Sequence, residues 1–230
     1  MKISADFSQR VVTHIDSLEW VKSPMKGVDR KTLDRVGEEI ARATTIVRYA
    51  PESVFSPHIH TGGEELIVLD GIFQDEHGDF PVGSYIRNPP QSKHQPRSEK
   101  GCMIFVKLWQ FQPTDNKYVR SQTNVMKGVP HKDFNGLSVT HLYEDAFEKV
   151  SLLHFKPEAE ITMDTIAGAE LLVLEGSLDE QADSLVKHSW LRTPINSVIK
   201  AKAGKDGAKV WLKTGHLTDV KNQIDRVKNA

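Results

Sequence analysis

The chain has very little cysteine, because Cys102 is the only one among 230 residues. A single thiol excludes an internal disulfide and a zinc site built from Cys-x-x-Cys elements, and it is the usage expected in a reducing compartment. Cys102 follows Gly101 at the start of an apolar run. We interpret it as a small buried hydrophobic residue rather than a redox thiol.

An excess of charge of one sign is also absent, since 30 basic residues balance 31 acidic ones. Such a balance gives no basic surface for nucleic acid or an anionic membrane. No apolar run approaches the ~20 residues that span a bilayer, and the opening MKISADFSQR lacks the apolar core of a secretory signal. We expect a cytoplasmic protein without direct nucleic-acid or membrane binding.

What the sequence does contain is a series of short strand patterns separated by turn signals. RATTIVRY at 42–49 is rich in β-branched residues and runs into a turn at 51–52. Segment 6–20 also reads as a strand, whereas 28–41 is ambiguous, and only residues 217–227 have helical spacing. The pattern predicts an all-β barrel or sandwich with a short C-terminal helix.

The sequence repeats itself at a displacement of about 105 residues. EELIVLDG at 64–71 aligns with ELLVLEG at 170–176, and SYIRNPPQS at 84–92 aligns with SWLRTPINS at 189–197. The repeat predicts two tandem domains, which we place at residues 1–115 and 116–230. A polar segment at 112–130 is expected to connect them across the surface.

Potential metal ligands are concentrated in one hairpin of the first repeat. His58 and His60 are two residues apart, so alternation along a strand directs both imidazoles to the same face. The Thr-Gly-Gly turn at 61–63 then reverses the chain and brings Glu64 beside them. The next residue, Glu65, should point to the opposite face and have a structural role. The hairpin therefore predicts three converging ligands.

A fourth ligand is expected from His94, about one hairpin downstream. Two imidazoles and a carboxylate are typical of non-haem Fe(II) sites, and a third imidazole also suits manganese, nickel, zinc or cobalt. The spacing does not choose among these metals.

The spacing His-x-His-x3-Glu-x6-Gly at 58–71, followed by Gly-x5-Pro at 83–89 and His94, resembles the paired motifs of the cupin superfamily. Gln91 stands where the second motif usually has a glycine. The first repeat is most similar to ChrR-like cupins, found in the C-terminal part of ChrR anti-sigma factors and in stand-alone relatives. The similarity covers roughly residues 27–111 and depends on the stretches 58–71, 75–78, 83–89 and 101–102.

The resemblance implies two tandem cupin (jelly-roll) barrels and a metal site of three histidines and one glutamate. Carried over to this sequence, the ligands are His58, His60, Glu64 and His94. The resemblance favours zinc as the bound ion, with iron, manganese or nickel as alternatives.

The second repeat lacks most of these ligands. Asp164 and Ile166 are interpreted as the replacements of the two strand histidines, and Ile199 as that of His94, while Glu170 is interpreted as a retained ligand. Isoleucine cannot coordinate a cation, so we predict a second cupin without metal.

Two functional hypotheses remain open. The first is a regulatory or sensing protein, in which an oxidant or small ligand reaches the ion. The alternative is an Fe(II)-type dioxygenase that cleaves a small diketone or hydroxyketone. Four protein ligands leave about two positions open on an octahedral ion, which suits both hypotheses.

Further expectations concern partners. The sigma-factor-binding members of the family use a separate zinc-binding helical domain that this sequence does not show, so sigma-factor binding is not carried over. We expect a homo-oligomer and assign no catalytic residue. Arg48 and Arg87 are candidate partners for an anionic ligand, but Arg87 recurs as Arg192 in the second repeat, which favours a structural ion pair.

Overall fold

The structure is a computed structural model that describes residues 1–230, and strands dominate it. The chain divides into two compact units. The first contains residues 1–5, 19–125 and 221–230, and the second contains 6–18 and 126–220. The predicted all-β fold class is confirmed.

The strands are numbered along the chain. The first seven are β1 (Lys2–Ile3), β2 (Val11–His14), β3 (Val21–Lys22), β4 (Val28–Gly37), β5 (Ala41–Tyr49), β6 (Ser53–Val54) and β7 (His58–His60). The next seven are β8 (Glu64–Asp75), β9 (Gly78–Pro81), β10 (Ser84–Asn88), β11 (Ser92–His94), β12 (Arg97–Ser98), β13 (Cys102–Leu108) and β14 (Val119–Gln122). The last eight are β15 (Val129–Pro130), β16 (Leu137–Glu144), β17 (Lys149–Phe155), β18 (Glu160–Thr165), β19 (Ala169–Glu180), β20 (Asp183–Val186), β21 (Ser189–Thr193) and β22 (Ser197–Thr214).

The helices are few and short. Three 3-10 turns lie at Ile15–Ser17, Thr123–Val125 and His216–Asp219, and one α-helix, α1, spans Val220–Lys228. The C-terminal helix predicted from its spacing is therefore present. No helix combines the length and the apolar character needed to cross a bilayer.

The first unit is organised around an antiparallel sheet with the strand order β1-β4-β5-β13-β8-β10-β14. Strands β7 and β11 pair only with each other and form a separate two-stranded ribbon. The segment at 28–41, ambiguous in sequence, contains the whole of β4, which pairs along its length with the β-branched strand β5. The core of this unit consists of Val28, Val47, Tyr49, Leu66, Val68, Phe73, Ile86, Cys102, Ile104 and Val106.

The second unit repeats this arrangement with the order β15-β16-β17-β22-β19-β21-β2. The last strand in this order, β2, lies within the segment 6–20 that was predicted to be a strand. It is shorter than predicted, and a 3-10 turn follows it directly. Both repeats keep a glycine inside the long motif strand, Gly71 in β8 and Gly176 in β19. A Cβ on Gly71 would overlap the carbonyl oxygen of Gly101, and one on Gly176 that of Gly207, so glycine is required at both positions.

Helix α1 completes the first unit. Its Gln223 is buried, and the Gln223 Oε1 atom accepts a hydrogen bond of 2.7 Å from Nε of Arg42. Arg42 also forms a buried ion pair of 3.1 Å with Asp34. Polar groups left without a partner in a core cost free energy. By accepting a hydrogen bond from the guanidinium of Arg42, Gln223 of α1 helps to stabilise a charged side chain that β5 places inside the unit.

Cys102 is buried at the start of β13, as predicted. Burial raises the pKa of its thiol to about 11, so the reactive thiolate is scarce near neutral pH.

Candidate metal centre

The two-stranded ribbon positions the three histidines. In the antiparallel register of β7 and β11, His58 lies directly opposite His94. Alternation along β7 directs His60 to the same side and leaves Ile59, between the two histidines, 57% exposed on the other side. The imidazoles of His58, His60 and His94 converge, and their potential ligand atoms all lie within 4.8 Å of one another.

Glu64, the first residue of β8, joins this cluster. Its Oε2 atom lies 3.4 Å from Nε2 of His60 and 3.5 Å from Nε2 of His94. The two Nε2 atoms are themselves 2.8 Å apart. The structure thus brings together all four side chains that the sequence nominated as ligands.

These separations fit a shared cation. Ligand atoms about 2.1 Å from one ion stand roughly 3 Å apart at octahedral or tetrahedral angles. The observed distances of 2.8 to 3.5 Å among His60, His94 and Glu64 match that spacing. A buried carboxylate among three imidazoles is also the donor chemistry that divalent transition metals prefer.

A second set of hydrogen bonds orients the ligands. Nδ1 of His94 lies 3.1 Å from Oδ2 of Asp75, and Nδ1 of His58 lies 2.9 Å from the carbonyl oxygen of Ser56. In each case an acceptor fixes the proton on Nδ1 and leaves the Nε2 lone pair free for a metal. Asn88 Nδ2 donates to Glu64 Oε2 over 3.0 Å and steadies the carboxylate. The sequence analysis identified neither Asp75 nor Asn88 as part of this site.

The electrostatics of the cluster favour an ionised carboxylate. Burial alone would raise the pKa of Glu64, but the neighbouring imidazoles of His60 and His94 outweigh it and leave the pKa lowered. Burial lowers the pKa of His60. Burial also acts to lower the pKa of His94, yet the hydrogen bond to Asp75 and the charge of Glu64 raise it overall.

The Gly-Gly turn between β7 and β8 has a packing role as well as a conformational one. Gly63 has a φ of +78°, which glycine adopts readily. A Cβ on Gly62 would overlap the indole ring of Trp109, which lies against the turn. The backbone N–H of Trp109 donates to the carbonyl oxygen of Gly63 over 3.2 Å, so the turn is held where it presents Glu64 to the histidines.

Glu65 lies on the opposite face, as predicted. The hydroxyl of Tyr85 donates to Glu65 Oε1 over 2.5 Å, and Arg87 Nη1 lies 3.5 Å from the same oxygen. Arg87 also pairs with Asp115 at 2.7 Å. Arg87 is therefore engaged in a buried structural ion pair.

Arg48, the other arginine considered for an anionic ligand, also points elsewhere. It pairs with Asp29 at 2.7 Å and stacks on the ring of Trp20 at 4.2 Å. Its side chain is 47% exposed. The role proposed for Arg48 at the site is wrong, because adjacent residues of β5 alternate faces and Arg48 lies on the outer one.

A cavity of about 310 Å³ adjoins the histidine cluster. Its lining includes His58, His60 and Glu64 together with inward-facing residues of β4, β5 and β13. The apolar part of the wall comprises Val47, Ile104, Val106 and Leu108. The volume is at the lower end of the range typical of small-molecule sites, ~300–1,000 Å³.

Comparison with known families identifies this part of the chain. Residues 8–112 match the family described as the ChrR Cupin-like domain. The chain contains a ChrR cupin-like domain. The matched residues include all four candidate ligands, and the cupin resemblance seen in the sequence is confirmed. No protein with a curated description matches the chain in sequence.

Solved structures extend the likeness in fold beyond the ChrR cupin-like domain. A candidate dioxygenase from Nostoc punctiforme has a TM-score of 0.74 at 15% identity, over 89% of this chain and 82% of its own. A bacterial pirin, YhhW, in complex with nickel(II), from Escherichia coli has a TM-score of 0.65 at 12% identity, over 90% and 98%. A cupin 2 conserved barrel domain protein from Leptotrichia buccalis has a TM-score of 0.61 at 10% identity, over 89% and 96%. At these identities the likeness shows the cupin fold alone.

Strand pairing in the second unit revises which residues replace the ligands of the ChrR cupin-like domain. Met163 lies opposite Ile199, as His58 lies opposite His94. Met163 and, two residues further on, Thr165 therefore stand in the places of the two strand histidines. The assignment of Ile199 agrees with this register.

The assignment of Asp164 and Ile166 to the histidine places is wrong by one residue. Asp164 is exposed on the outer side of β18, and Ile166, 73% exposed, lies beyond the end of that strand. Alternation therefore directs neither side chain to the inner face of the ribbon.

Glu170 is not the retained ligand. It lies opposite Arg192 in the second unit, as Glu65 lies opposite Arg87 in the ChrR cupin-like domain. Glu170 is therefore the counterpart of Glu65, and the preceding Ala169 stands in the place of the carboxylate ligand. A second unit without metal stays a prediction, now supported by different residues.

Proposed function

We propose that the ChrR cupin-like domain binds one divalent metal ion through His58, His60, Glu64 and His94 and presents it to a small molecule in the adjoining cavity. The observation that supports this most directly is the convergence of three imidazoles and a carboxylate on one wall of that cavity. The bound ion would act as a Lewis acid that orients a chelating oxygen ligand and stabilises negative charge.

The remaining residues of the site have supporting roles in this proposal. Asp75 holds the proton of His94 on Nδ1, and Asn88 fixes the orientation of the Glu64 carboxylate. The apolar wall formed by β5 and β13 lowers the local dielectric constant, which strengthens electrostatic interactions at the ion.

The activity that the geometry supports best is that of a metal-dependent dioxygenase acting on a small diketone or hydroxyketone. The cavity beside the cluster offers room for a small substrate next to open metal positions. The likeness to a candidate dioxygenase from Nostoc punctiforme is in keeping with this activity.

A regulatory or sensing role is the second candidate, and the match to the ChrR Cupin-like domain favours it. In this case a small ligand or oxidant would bind at the ion without turnover. Cys102 is an unsuitable redox sensor for such a role, because it is buried and its thiol pKa is raised.

The metal distinguishes these alternatives. Zinc, which the family resemblance favours, is redox-inactive and would suit sensing, whereas iron would suit oxygen chemistry. Manganese and nickel also accept this donor set. A cytoplasmic location and a homo-oligomeric state complete the proposal, and sigma-factor binding is not part of it.

The test is elemental analysis of protein purified without added metal, followed by O2 uptake with Fe(II) and a panel of small diketones. One bound iron per chain with substrate-dependent uptake would support the dioxygenase. One bound zinc without uptake would favour sensing. Protein that binds no divalent metal would contradict both.

Two variants identify the binding residues in the same assay. His58→Ala should lose the bound ion, since it removes one of three converging imidazoles. Asp164→Ala, which alters an exposed side chain of the second unit, should retain full stoichiometry. A loss in Asp164→Ala would contradict the placement of the site.

A further inference from the structure

A guanidinium group lines the cavity beside the proposed metal centre. Arg30, on β4, is half-buried and lies opposite Val47 of β5 in the ladder. The side chain of Arg30 forms no hydrogen bond and no ion pair with any group of the protein. The fully buried Arg42 and Arg87 of this unit differ, because both are paired with carboxylates.

The guanidinium of Arg30 is half-buried, and no carboxylate of the protein lies beside it to compensate its charge. Burial lowers the pKa of Arg30, but a guanidinium stays charged at physiological pH. A charge on the wall of a cavity attracts a counter-charge more strongly than one in bulk water does, because the local dielectric constant is lower. A ligand in the cavity could supply that counter-charge.

The surroundings of Arg30 on the cavity wall add further positive charge. Arg35, on the same strand, donates hydrogen bonds to the backbone carbonyl oxygens of Glu38 and Glu39. Its hydrogen-bond acceptors are therefore backbone groups of the turn and not carboxylates. Two acidic side chains line the cavity. Glu39 is exposed, and the buried Glu64 already contacts the imidazoles and accepts a hydrogen bond from Asn88.

Tyr49 supplies a neutral donor near Arg30. Its ring packs in the core against Phe55 and Phe73, and its hydroxyl makes no hydrogen bond within the protein. Burial, reinforced by the charge of Glu64, raises the pKa of Tyr49 well above its ordinary value, so the hydroxyl keeps its proton. Tyr49 and Arg30 both line the cavity and offer donors without acceptors of the protein's own.

We propose that the small molecule bound in this cavity carries a carboxylate, which Arg30 binds while oxygen atoms at the other end of the molecule reach the metal ion. This inference rests on the proposed function's metal site and cavity, and it replaces the small diketone or hydroxyketone with a small oxo- or hydroxycarboxylic acid that carries a second, distal carboxylate. Planar guanidinium groups recognise carboxylates through two parallel hydrogen bonds, which gives orientation as well as affinity.

The test compares ligands that share a metal-chelating end and differ in the distal carboxylate. Metal content is measured first on nickel-loaded protein, and titration calorimetry then compares 2-oxopentanedioate with 2-oxopentanoate. We expect the dicarboxylate to bind about 10- to 100-fold more tightly, the usual effect of a charge-assisted hydrogen bond. That preference should disappear in Arg30→Gln.

The matched control is Arg48→Gln, on the neighbouring strand β5, whose side chain lies outside the cavity and pairs with Asp29. It should keep the preference for the dicarboxylate. Equal binding of the two acids by metal-loaded protein, binding of neither, or an unchanged preference in Arg30→Gln would overturn the carboxylate inference while metal binding stands. Absence of bound nickel would instead overturn the proposed function, and this inference with it.

Discussion

Asp75, the last residue of β8, orients a proposed metal ligand on another strand, with Oδ2 of Asp75 lying 3.1 Å from Nδ1 of His94. Asp75 is itself held, because its Oδ1 atom accepts a 2.7 Å hydrogen bond from the backbone N–H of His77. An imidazole oriented in this way presents its other nitrogen with a fixed direction and greater basicity.

Replacing Asp75 should therefore weaken metal binding without removing a ligand. Asp75→Asn is expected to reduce metal affinity about 10- to 100-fold, the usual effect of losing an outer-shell carboxylate. Competition titration with a chromogenic chelator measures it. Asp70→Asn, an exposed change on the same strand, is the control and should leave affinity unchanged. Equal affinities in the two variants would contradict an orienting role for Asp75.

The adjacent glutamates of β8 should respond in opposite ways. Glu64→Gln removes a proposed ligand and should lower metal occupancy with little effect on folding. Glu65→Gln should keep the ion but destabilise the fold by about 1–3 kcal/mol, because it removes the buried charged acceptor of Tyr85 and one of the two carboxylates beside Arg87. Metal analysis and denaturant unfolding, applied to both variants, give the comparison. Loss of the ion in Glu65→Gln and loss of stability in Glu64→Gln would mean that Glu65 is the ligand and Glu64 the structural residue.

Acid should release the ion. Imidazoles must be neutral to coordinate, and the raised pKa of His94 means that it takes up a proton before the ligands of lowered pKa as the pH falls. Occupancy is expected to fall progressively below about pH 6, near the ordinary histidine pKa. Dialysis between about pH 8 and pH 4, followed by metal analysis, measures the profile, with circular dichroism to monitor folding. Full occupancy at the acid end would exclude three histidine ligands.

The turn that presents Glu64 should tolerate no side chain at Gly62. Gly62→Ala places a methyl group against the ring of Trp109, and overpacking of this kind costs about 1–3 kcal/mol. We expect a lower unfolding free energy. We also expect weaker metal binding, because the proposed ligand Glu64 follows Gly62 by only two residues. Thr61→Ala, at the exposed neighbouring position, is the control. A stable Gly62→Ala protein with unchanged affinity would show that the turn adjusts freely.

The sequence predicted the residues that converge better than the residues that support them. The His-x-His spacing and the Gly-Gly turn are local, so strand alternation was enough to bring His58, His60 and Glu64 together. Asp75 contacts His94 across separate strands, and Arg30 reaches the cavity through the pairing of β4 with β5. Both depend on sheet order and register, which local patterns do not specify.

Register also explains the misassigned residues of the second repeat. The repeat is displaced by 106 residues at Glu52 and Glu158, before the ribbon, and by 105 within it, where Thr165 takes the place of His60. A one-residue shift reverses the face of every side chain in a strand. An alignment with the displacement of 106 residues therefore places the outward-facing Asp164 at the position of His58. The strand pairs of the structure place the inward-facing Met163 there.

The division of the chain into units has a consequence for its synthesis and for its dissection. Residues 221–230, which carry Gln223 to the buried Arg42, emerge from the ribosome after the whole of the second unit. The first unit can therefore complete its core only after the second unit has been synthesised. A fragment that ends at residue 125 would leave the polar cluster around Arg42 uncovered, so excising this unit as one continuous piece would yield a weakened protein.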